Sequence, residues 1–474
     1  MIRRFSMFPW TCKITPFALS DRDRYSRLFP PTDTEIAPAD SRLECLAWSM
    51  CDKQFAQDTF DPMTAVPAGY TYFGQFIDHD MTSEDLSANT GEVWNEPSSA
   101  PNLRVNWLNL DCLYGNGPKA TKIKIYEDDG VSFRVGGQTE GNQTFDVPLD
   151  PISHKPLAAD PRNLENAIVR QVHALFLKLH NLAAKNLPAS LAPADRFTQA
   201  RRSVRHQFQW LVRNDFLKRF CDPRTYRAVL KNPIFDWQGR FSIPVEFSRA
   251  AFRFGHSTVR DQYELATVGT AIPLCKLFGG ENSLDPLPKE HAIPWFNFLG
   301  LGTTSRETSL NIDTSIVRPL FHVPSEAARL FRVRVAEENT LALPHVTLKR
   351  GAASRLPSGE AVRRVLRAEA ISAGAPAGNP WMELVSCGLR RDVPLWYYIL
   401  LEAQQNQKGV RLGPVGSRIV AEVIEAALWA NQDSYLRVYG RNWKPADWKT
   451  EHGDLKPIRC LFDVASVVGL TPPS

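Results

Sequence analysis

Apolar residues along much of this chain recur at helical spacing. Between residues 163 and 186, Ile168, Val172, Leu175, Leu179 and Leu182 fall three or four apart, which lays one apolar stripe along a helix. The same spacing returns at about 195–220, 245–260, 358–371 and 414–430. Two of these helices have sharp starts. In Leu356-Pro357-Ser358-Gly359 the Ser358 hydroxyl can cap the orphan amides of the first turn, and in Gly413-Pro414-Val415-Gly416 a proline stands where its missing N–H is not needed. One stretch follows a different period. Over 122–149 the apolar residues alternate, as in Ile123 and Ile125, Phe133 and Val135, Phe145 and Val147, with Asp129-Gly130 and Gly136-Gly137 as turns, which predicts a small β-hairpin. Residues 1–65 carry one short helical signal, at about 41–55, among Pro, Asp and Arg. They read as an N-terminal arm packed on a larger domain, 66–474. No repeat or low-complexity linker divides the remainder, so the pattern predicts a mostly α protein with a single large domain and one small β-hairpin.

Composition narrows the classes. With 474 residues, 43% of them hydrophobic, the chain can bury a sizeable core. Lys and Arg exceed Asp and Glu only by 56 to 51, with no basic block, so no nucleic-acid partner is expected. No apolar run approaches the roughly 18 residues of a bilayer span. Met1-Ile2-Arg3-Arg4 leads into Trp10, Cys12 and Lys13 rather than a long apolar segment, so neither a membrane span nor a conventional signal peptide is expected. The cysteines, Cys12, Cys45, Cys51, Cys112, Cys221, Cys275, Cys387 and Cys460, form no C-x-x-C pair. That points to reduced, mostly buried thiols rather than a zinc site or a disulfide framework and, with no signal visible, to a cytoplasmic location.

Three stretches carry chemistry. In Tyr72-Phe73-Gly74-Gln75-Phe76-Ile77-Asp78-His79-Asp80, helical geometry puts Gln75 one turn before both Asp78 and His79 and rotates Asp80 away, towards a different site. Taken alone, this is a helix start with ordinary acidic residues around a hydrogen-bonded histidine. In Asp160-Pro161-Arg162-Asn163-Leu164-Glu165-Asn166, Asp160 can cap a helix on whose first turn Arg162 pairs with Glu165. In Ala251-Phe252-Arg253-Phe254-Gly255-His256-Ser257, Gly255 permits close approach just before an imidazole that is otherwise an ordinary core histidine.

Together, in this order and spacing, the three stretches resemble the peroxidase-cyclooxygenase superfamily of animal-type haem peroxidases, and more closely its bacterial peroxinectin-like branch. Similarity extends from about residue 28 to 461 through Asn109-Leu110-Asp111-Cys112-Leu113-Tyr114-Gly115, Leu395-Trp396-Tyr397-Tyr398 and Leu412-Gly413-Pro414-Val415-Gly416. The resemblance implies a haem b cofactor, with His79 as the distal histidine, Arg162 as the distal arginine and Gln75 beside them. It makes His256 the ligand of the haem iron and Arg253 a partner of a haem propionate. Asp78 and Glu165 match carboxylates that form haem esters in mammalian members, whereas Asn166 stands where a sulfonium-forming methionine is found, so that link is not expected. The residue matching the asparagine that accepts a hydrogen bond from the proximal histidine is Thr347. A hydroxyl is the weaker acceptor, which predicts a raised Fe(III)/Fe(II) potential. Asp80 matches a calcium-binding aspartate, with Asn109, Asp111 and the Trp107 carbonyl at companion positions, although Val105 replaces a threonine ligand and Asn109 a carboxylate.

What the resemblance implies for function is reduction of H2O2 with oxidation of a small donor such as a halide, thiocyanate, a phenol or another metabolite. Two alternatives stay open. One is a fatty-acid dioxygenase or cyclooxygenase-like enzyme, which would use a tyrosine three residues before the proximal histidine; Arg253 stands there, although Tyr263 or another aromatic could serve. The other is a weakly catalytic, peroxinectin-like binding protein, against which the intact His79 and Arg162 pair argues.

Overall fold

Helix Gly69–Met81 lies at the centre of the molecule with nearly every residue buried, and it packs along the longer helix Ala167–Lys185. In this computed structural model the described residues are 17–18, 25–31, 38–53, 65–83, 102, 104, 107–137, 145–237, 241–265, 270–278, 286–300, 307–324, 340–368, 380–389 and 393–470. Aromatic residues fix the central contact. Phe73 and Phe76 stack on Phe176 with ring centroids 6.0 and 5.3 Å apart, and Phe208 meets all three edge-on. Phe208 comes from helix Pro193–Leu211, which packs against Ala167–Lys185 and continues through one π turn, Val212–Phe216. That turn sends Arg213 to Glu425 (2.6 Å) and places Asp215 against the Tyr70 hydroxyl and Arg219 (2.7 Å).

A second layer is built from Leu395–Gln407 and Pro414–Ala430. The orphan amides at the start of the latter are taken by buried Glu402, which accepts from Val415 (2.9 Å) and Gly416 (3.3 Å). Glycine is needed at 413 because a Cβ there would lie 2.3 Å from the Glu402 side chain. The start expected at 358 is also present: Ser358 accepts from the Ala361 amide at 3.3 Å, and Gly359 lets the helix approach Tyr398, whose side chain a Cβ would meet at 1.9 Å.

The sheet content is small. Tyr25–Arg27 pairs antiparallel with Phe17–Ala18 and parallel with Ile243–Pro244. Just beyond, buried Glu246 accepts from the Leu28 and Phe29 amides at 3.0 and 3.2 Å. The hairpin expected over 122–149 reduces to single bridges, Tyr126 with Phe133 around Asp129-Gly130 and Gly136 with Asp146; residues 138–144 lie outside the described ones.

Three expectations need correction. The helix read over 245–260 is broken: Val245–Arg249 ends at Ala250 and a 3-10 segment, Ala251–Thr258, carries His256. The helix read over 358–371 stops at Leu366, because Arg367 turns left-handed (φ 50°). The cysteines are not all reduced, since Cys45 and Cys387 form a disulfide between helices Asp40–Ser49 and Pro380–Ser386. The partners stand 342 residues apart, a pairing that no local spacing announces. Cys51, Cys112, Cys221, Cys275 and Cys460 are free, and Cys12 is outside the described residues. Among the described residues no helix is long and apolar enough to cross a membrane.

Candidate active site

The central helix presents Gln75, Asp78 and His79 to one cleft of about 1520 Å³, open mouth included, whose walls also hold Arg162, Glu165, Arg253, His256 and Thr347. The three sequence stretches therefore meet. Asp80 is not among the lining residues and faces the other way, as the helical rotation predicts.

On the His79 side, Nδ1 lies 2.8 Å from Oδ1 of Asn163. Burial, helped by the Arg162 charge, brings the pKa of this imidazole down from 6.5 to about 4. It is a neutral base at neutral pH. Arg162 does not pair with Glu165 as its spacing suggested. Its Nε and Nη2 grip Asp160 at 3.1 and 2.6 Å, and Nη2 also donates to the carbonyls of His79 (2.9 Å) and Thr82 (2.6 Å). The reason lies in the local fold. Asp160 caps the 3-10 turn Pro161–Leu164 by accepting from the Arg162 amide at 3.0 Å, so the same carboxylate meets the guanidinium. Asp160 is held far below the usual carboxylate range by Arg162 and Arg104 against the opposing effect of burial.

Glu165 is fully buried, and neither of its oxygens has a hydrogen-bond partner among the described residues. Its nearest counter-group is His79 Nε2, at 3.9 Å, too long for a hydrogen bond. Burial pushes this carboxyl well above its ordinary range. Asp78, at the edge of the same cleft, lies 3.5 Å from Arg253 and accepts from the Thr82 hydroxyl at 3.4 Å. Gln75 accepts from the Asn166 amide at 3.2 Å.

Elsewhere on the lining of the cleft, Thr347 Oγ1 stands 3.5 Å from His256 Nδ1 and donates its own proton to the Leu343 carbonyl at 2.9 Å. Having one proton, the hydroxyl can only accept from His256, which puts the imidazole proton on Nδ1 and leaves Nε2 with a free lone pair. Burial, with the charges of Arg253 and Arg350, brings His256 down to about 3, so it stays neutral, as a metal ligand must. Trp396 packs behind His256, its indole nitrogen donating to the Arg253 carbonyl at 3.1 Å and its ring edge-on to His256. At Gly255 a Cβ would meet nothing within 4 Å, in keeping with a position that opens on the cleft.

These residues fit a haem. A flat group between His79 and His256 would find a free imidazole nitrogen on the His256 side and an unpartnered buried carboxyl at Glu165. The residues expected to hold calcium fit a cation poorly by the same kind of test. Asp80 already accepts from the amides of Leu110 (2.8 Å) and Cys112 (3.1 Å). Asp111 accepts from Asn109 (2.8 Å) and Arg201 (3.3 Å), Asn109 from Arg205 (2.9 Å), and the Trp107 carbonyl from Asn431 (3.2 Å). Every expected ligand is engaged by an N–H donor and two guanidinium charges stand beside the loop, so the donor set does not suit a divalent cation. Val105 lies outside the described residues. Among those described, no cluster of His, Cys, Asp or Glu is placed to hold a metal ion.

Sequence reasoning missed Asn163, His173, Arg350, Arg201 and Arg205. Arg350, three residues after Thr347, lay within reach of helical spacing. The other contacts join distant segments and left no local signal.

Residues 97–330 match the family model for animal haem peroxidases. A peroxidase-like protein from Margaritifera margaritifera is 33% identical over 258 residues, 41% of this chain and 32% of that protein. Thyroid peroxidase from Rattus norvegicus is 25% identical over 388 residues, 76% of this chain and 36% of that one. The chain thus spans about a third of the length of these relatives. Among solved structures, peroxidase A from Dictyostelium discoideum superposes with a TM-score of 0.66 at 17% identity, over 98% of this chain and 95% of its own. The fatty acid alpha-dioxygenase of Oryza sativa gives 0.63 at 15%, over 86% and 75%. Residues 97–330 thus carry the sequence pattern of an animal haem peroxidase domain, and the chain shares its fold with the peroxidase and the dioxygenase on which it superposes.

Proposed function

We propose that the protein is a haem peroxidase that reduces H2O2 and oxidises a small donor. The observation that carries this reading is the shared cleft, whose lining holds two neutral imidazoles, His79, with Arg162 beside it, and His256. Haem bound there would supply the redox chemistry that links the donor to peroxide. His256 would hold it through Nε2. His79 Nε2 accepts the proton that peroxide must lose and can return it to the departing oxygen. Arg162, always protonated and fixed by Asp160, stabilises the negative charge that develops as the O–O bond breaks. Asp78 and Glu165 would carry ester links; Glu165, buried and unpartnered, is the better supported of the two. Arg253 stands where it can meet a propionate.

A second reading, fatty-acid dioxygenation, has one observation in its favour. Tyr72 lines the cleft with its ring centroid 5.8 Å from that of Tyr263, both rings buried. A binding protein with weak catalysis has no such support. Loading the purified chain with haem, recording the Soret band and its shift on adding H2O2, and comparing bromide, iodide, a phenol and a polyunsaturated fatty acid as substrates tests all three. Product from the fatty acid and O2 alone would replace the first reading with the second, and a chain that takes up no haem would refute both. As for location, the Cys45–Cys387 disulfide favours an oxidising compartment over the cytoplasm expected from the sequence.

A further inference from the structure

Two asparagines flank Glu165, and neither has a place in the reading above. Asn166 caps helix Ala167–Lys185. Its Oδ1 accepts from the amides of Ile168 (3.1 Å) and Val169 (2.8 Å), which fixes the oxygen end of the side chain. The amide nitrogen must then point the other way, and it donates to Gln75 Oε1 at 3.2 Å. With its oxygen turned to Asn166, Gln75 is left to direct its Nε2 hydrogens into the cleft it lines. Asn163 stands between two imidazoles, its Oδ1 2.8 Å from His79 Nδ1 and its Nδ2 3.0 Å from His173 Nδ1. An amide in that place accepts from one ring and donates to the other. His79 therefore carries its proton on Nδ1, and its Nε2 lone pair is left to face the Glu165 side of the cleft. His173, fully packed and edge-on to Phe76, anchors the other end of the relay.

We propose that Asn163 and Asn166 are positioning residues that set the hydrogen-bonding polarity of the distal side, a proton acceptor at His79 Nε2 and a proton donor at Gln75 Nε2. The combination suits a protic ligand that gives its proton to His79 beside a small anion that accepts from Gln75. A halide or pseudohalide fits this description, and a cationic donor does not. The inference rests on the peroxidase reading for its consequence, while its first test does not.

That test is the tautomer. Selective 15N labelling of the histidines, read in the haem-free chain and in the diamagnetic ferrous carbon-monoxide form, should show His79 protonated on Nδ1. Asn163→Leu should move it to the Nε2-protonated form that free imidazole favours, and Asn163→Asp should keep Nδ1–H. A wild-type His79 protonated on Nε2, or one indifferent to Asn163→Leu, would overturn the assignment. For Asn166 the readout is bromide affinity in the ferric protein, followed by the Soret perturbation. Asn166→Ser keeps an oxygen for the helix cap but has no amide to hold Gln75, so the Kd should rise about fivefold, the worth of roughly one hydrogen bond. The same substitution made in Gln75→Ala should change nothing further. An unchanged Kd, or an equal loss in the Gln75→Ala background, would refute the role. A chain that takes up no haem would refute the peroxidase reading, and the labelled-histidine experiment on that haem-free chain would still decide the part played by Asn163.

Discussion

His79 and Asp80 are neighbours on one helix and face two differently finished regions. The cleft on the His79 side is left chemically open, with a buried carboxyl at Glu165 that has no hydrogen-bond partner among the described residues, imidazoles kept neutral by burial, and a glycine with space in front of it. The loop on the Asp80 side is closed. Its Leu108 and Leu110 adopt left-handed backbone conformations (φ 57° and 59°), which aim the Leu110 and Cys112 amides at the carboxylate, and Arg201 and Arg205 donate to Asp111 and Asn109. Both regions match a binding motif by residue type. Only one leaves its polar atoms waiting for a ligand, and unmet valence in a dry place separates a site from a resemblance to one.

The largest effects should come from breaking the open side. His256→Ala removes the imidazole through which the chain would hold the haem iron, and it should abolish stoichiometric haem binding, read as loss of the Soret band after loading and desalting. His79→Ala keeps the haem and loses the proton acceptor. Stopped-flow mixing with H2O2 should then show a rate constant lower by about 10³-fold. A variant that reacts at the wild-type rate would remove His79 from the mechanism.

The same histidine fixes the pH profile. Its folded pKa, about 4, lies below the ordinary 6.5, so the reactive neutral form persists on acidification until pH approaches 4. The peroxide rate constant should hold level above about pH 5 and then fall about tenfold per pH unit below about 4. Stability has the opposite margin. An unfolded chain binds the proton near 6.5 and the folded one only near 4, so stability is fully present above 6.5 and declines as pH drops through that window. His173 and His256, both near 3, act in the same direction, and Tm measured between pH 7 and about 4 should fall with the acid. An acid limb near 6.5 would mean that His79 is solvated and the cleft is wet.

A smaller change tests how well the proximal wall holds its ligand. Thr347 accepts from His256 over 3.5 Å, long for a hydrogen bond, because its hydroxyl is drawn to the Leu343 carbonyl one turn earlier. Thr347→Asn supplies a longer side chain and a stronger acceptor. It should lower the Fe(III)/Fe(II) potential by up to about 60 mV, a tenfold shift in the relative stability of the two oxidation states for one electron. An unchanged or raised potential in spectroelectrochemistry would count against the weak hydrogen bond.

Much of this was legible in the chain. Helical periodicity locates the helix that begins at Ala167 and the one at Pro414–Ala430, and the spacing of Gln75, Asp78, His79 and Asp80 by itself separates the cleft from the loop. What periodicity cannot carry is partner choice across distance. Arg162 goes to Asp160 rather than Glu165 because a capping carboxylate competes for it, and that choice is what leaves Glu165 unpartnered. Asn163 acquires its role only when His79, 84 residues earlier, is folded against it. The break at Ala250 is likewise invisible to a spacing count, since apolar positions in a 3-10 segment and in an α-helix differ by fractions of a residue per turn.

The smallest expected effect is a null one, and it bears most directly on the contrast between the two regions. If the Asp80 loop is closed by its own donors, then EGTA should leave the Tm and the haem content unchanged, and elemental analysis of the purified protein should find no stoichiometric calcium. The loop is held instead by Arg205, which reaches from helix Pro193–Leu211 to Asn109 and Asp433. Arg205→Ala should therefore destabilise the protein by about 1–3 kcal/mol, since it strips the donor from a buried carbonyl. Added calcium should not restore that loss unless removing the guanidinium opens the position to a cation. Rescue by calcium in Arg205→Ala, with none in the wild type, would show that the arginine stands where an ion would otherwise be needed. A Tm that drops with EGTA in the wild type would instead mean that Asp80 and its neighbours trade their amide partners for a metal, and the two faces of the helix would then be alike in needing a ligand from outside the chain.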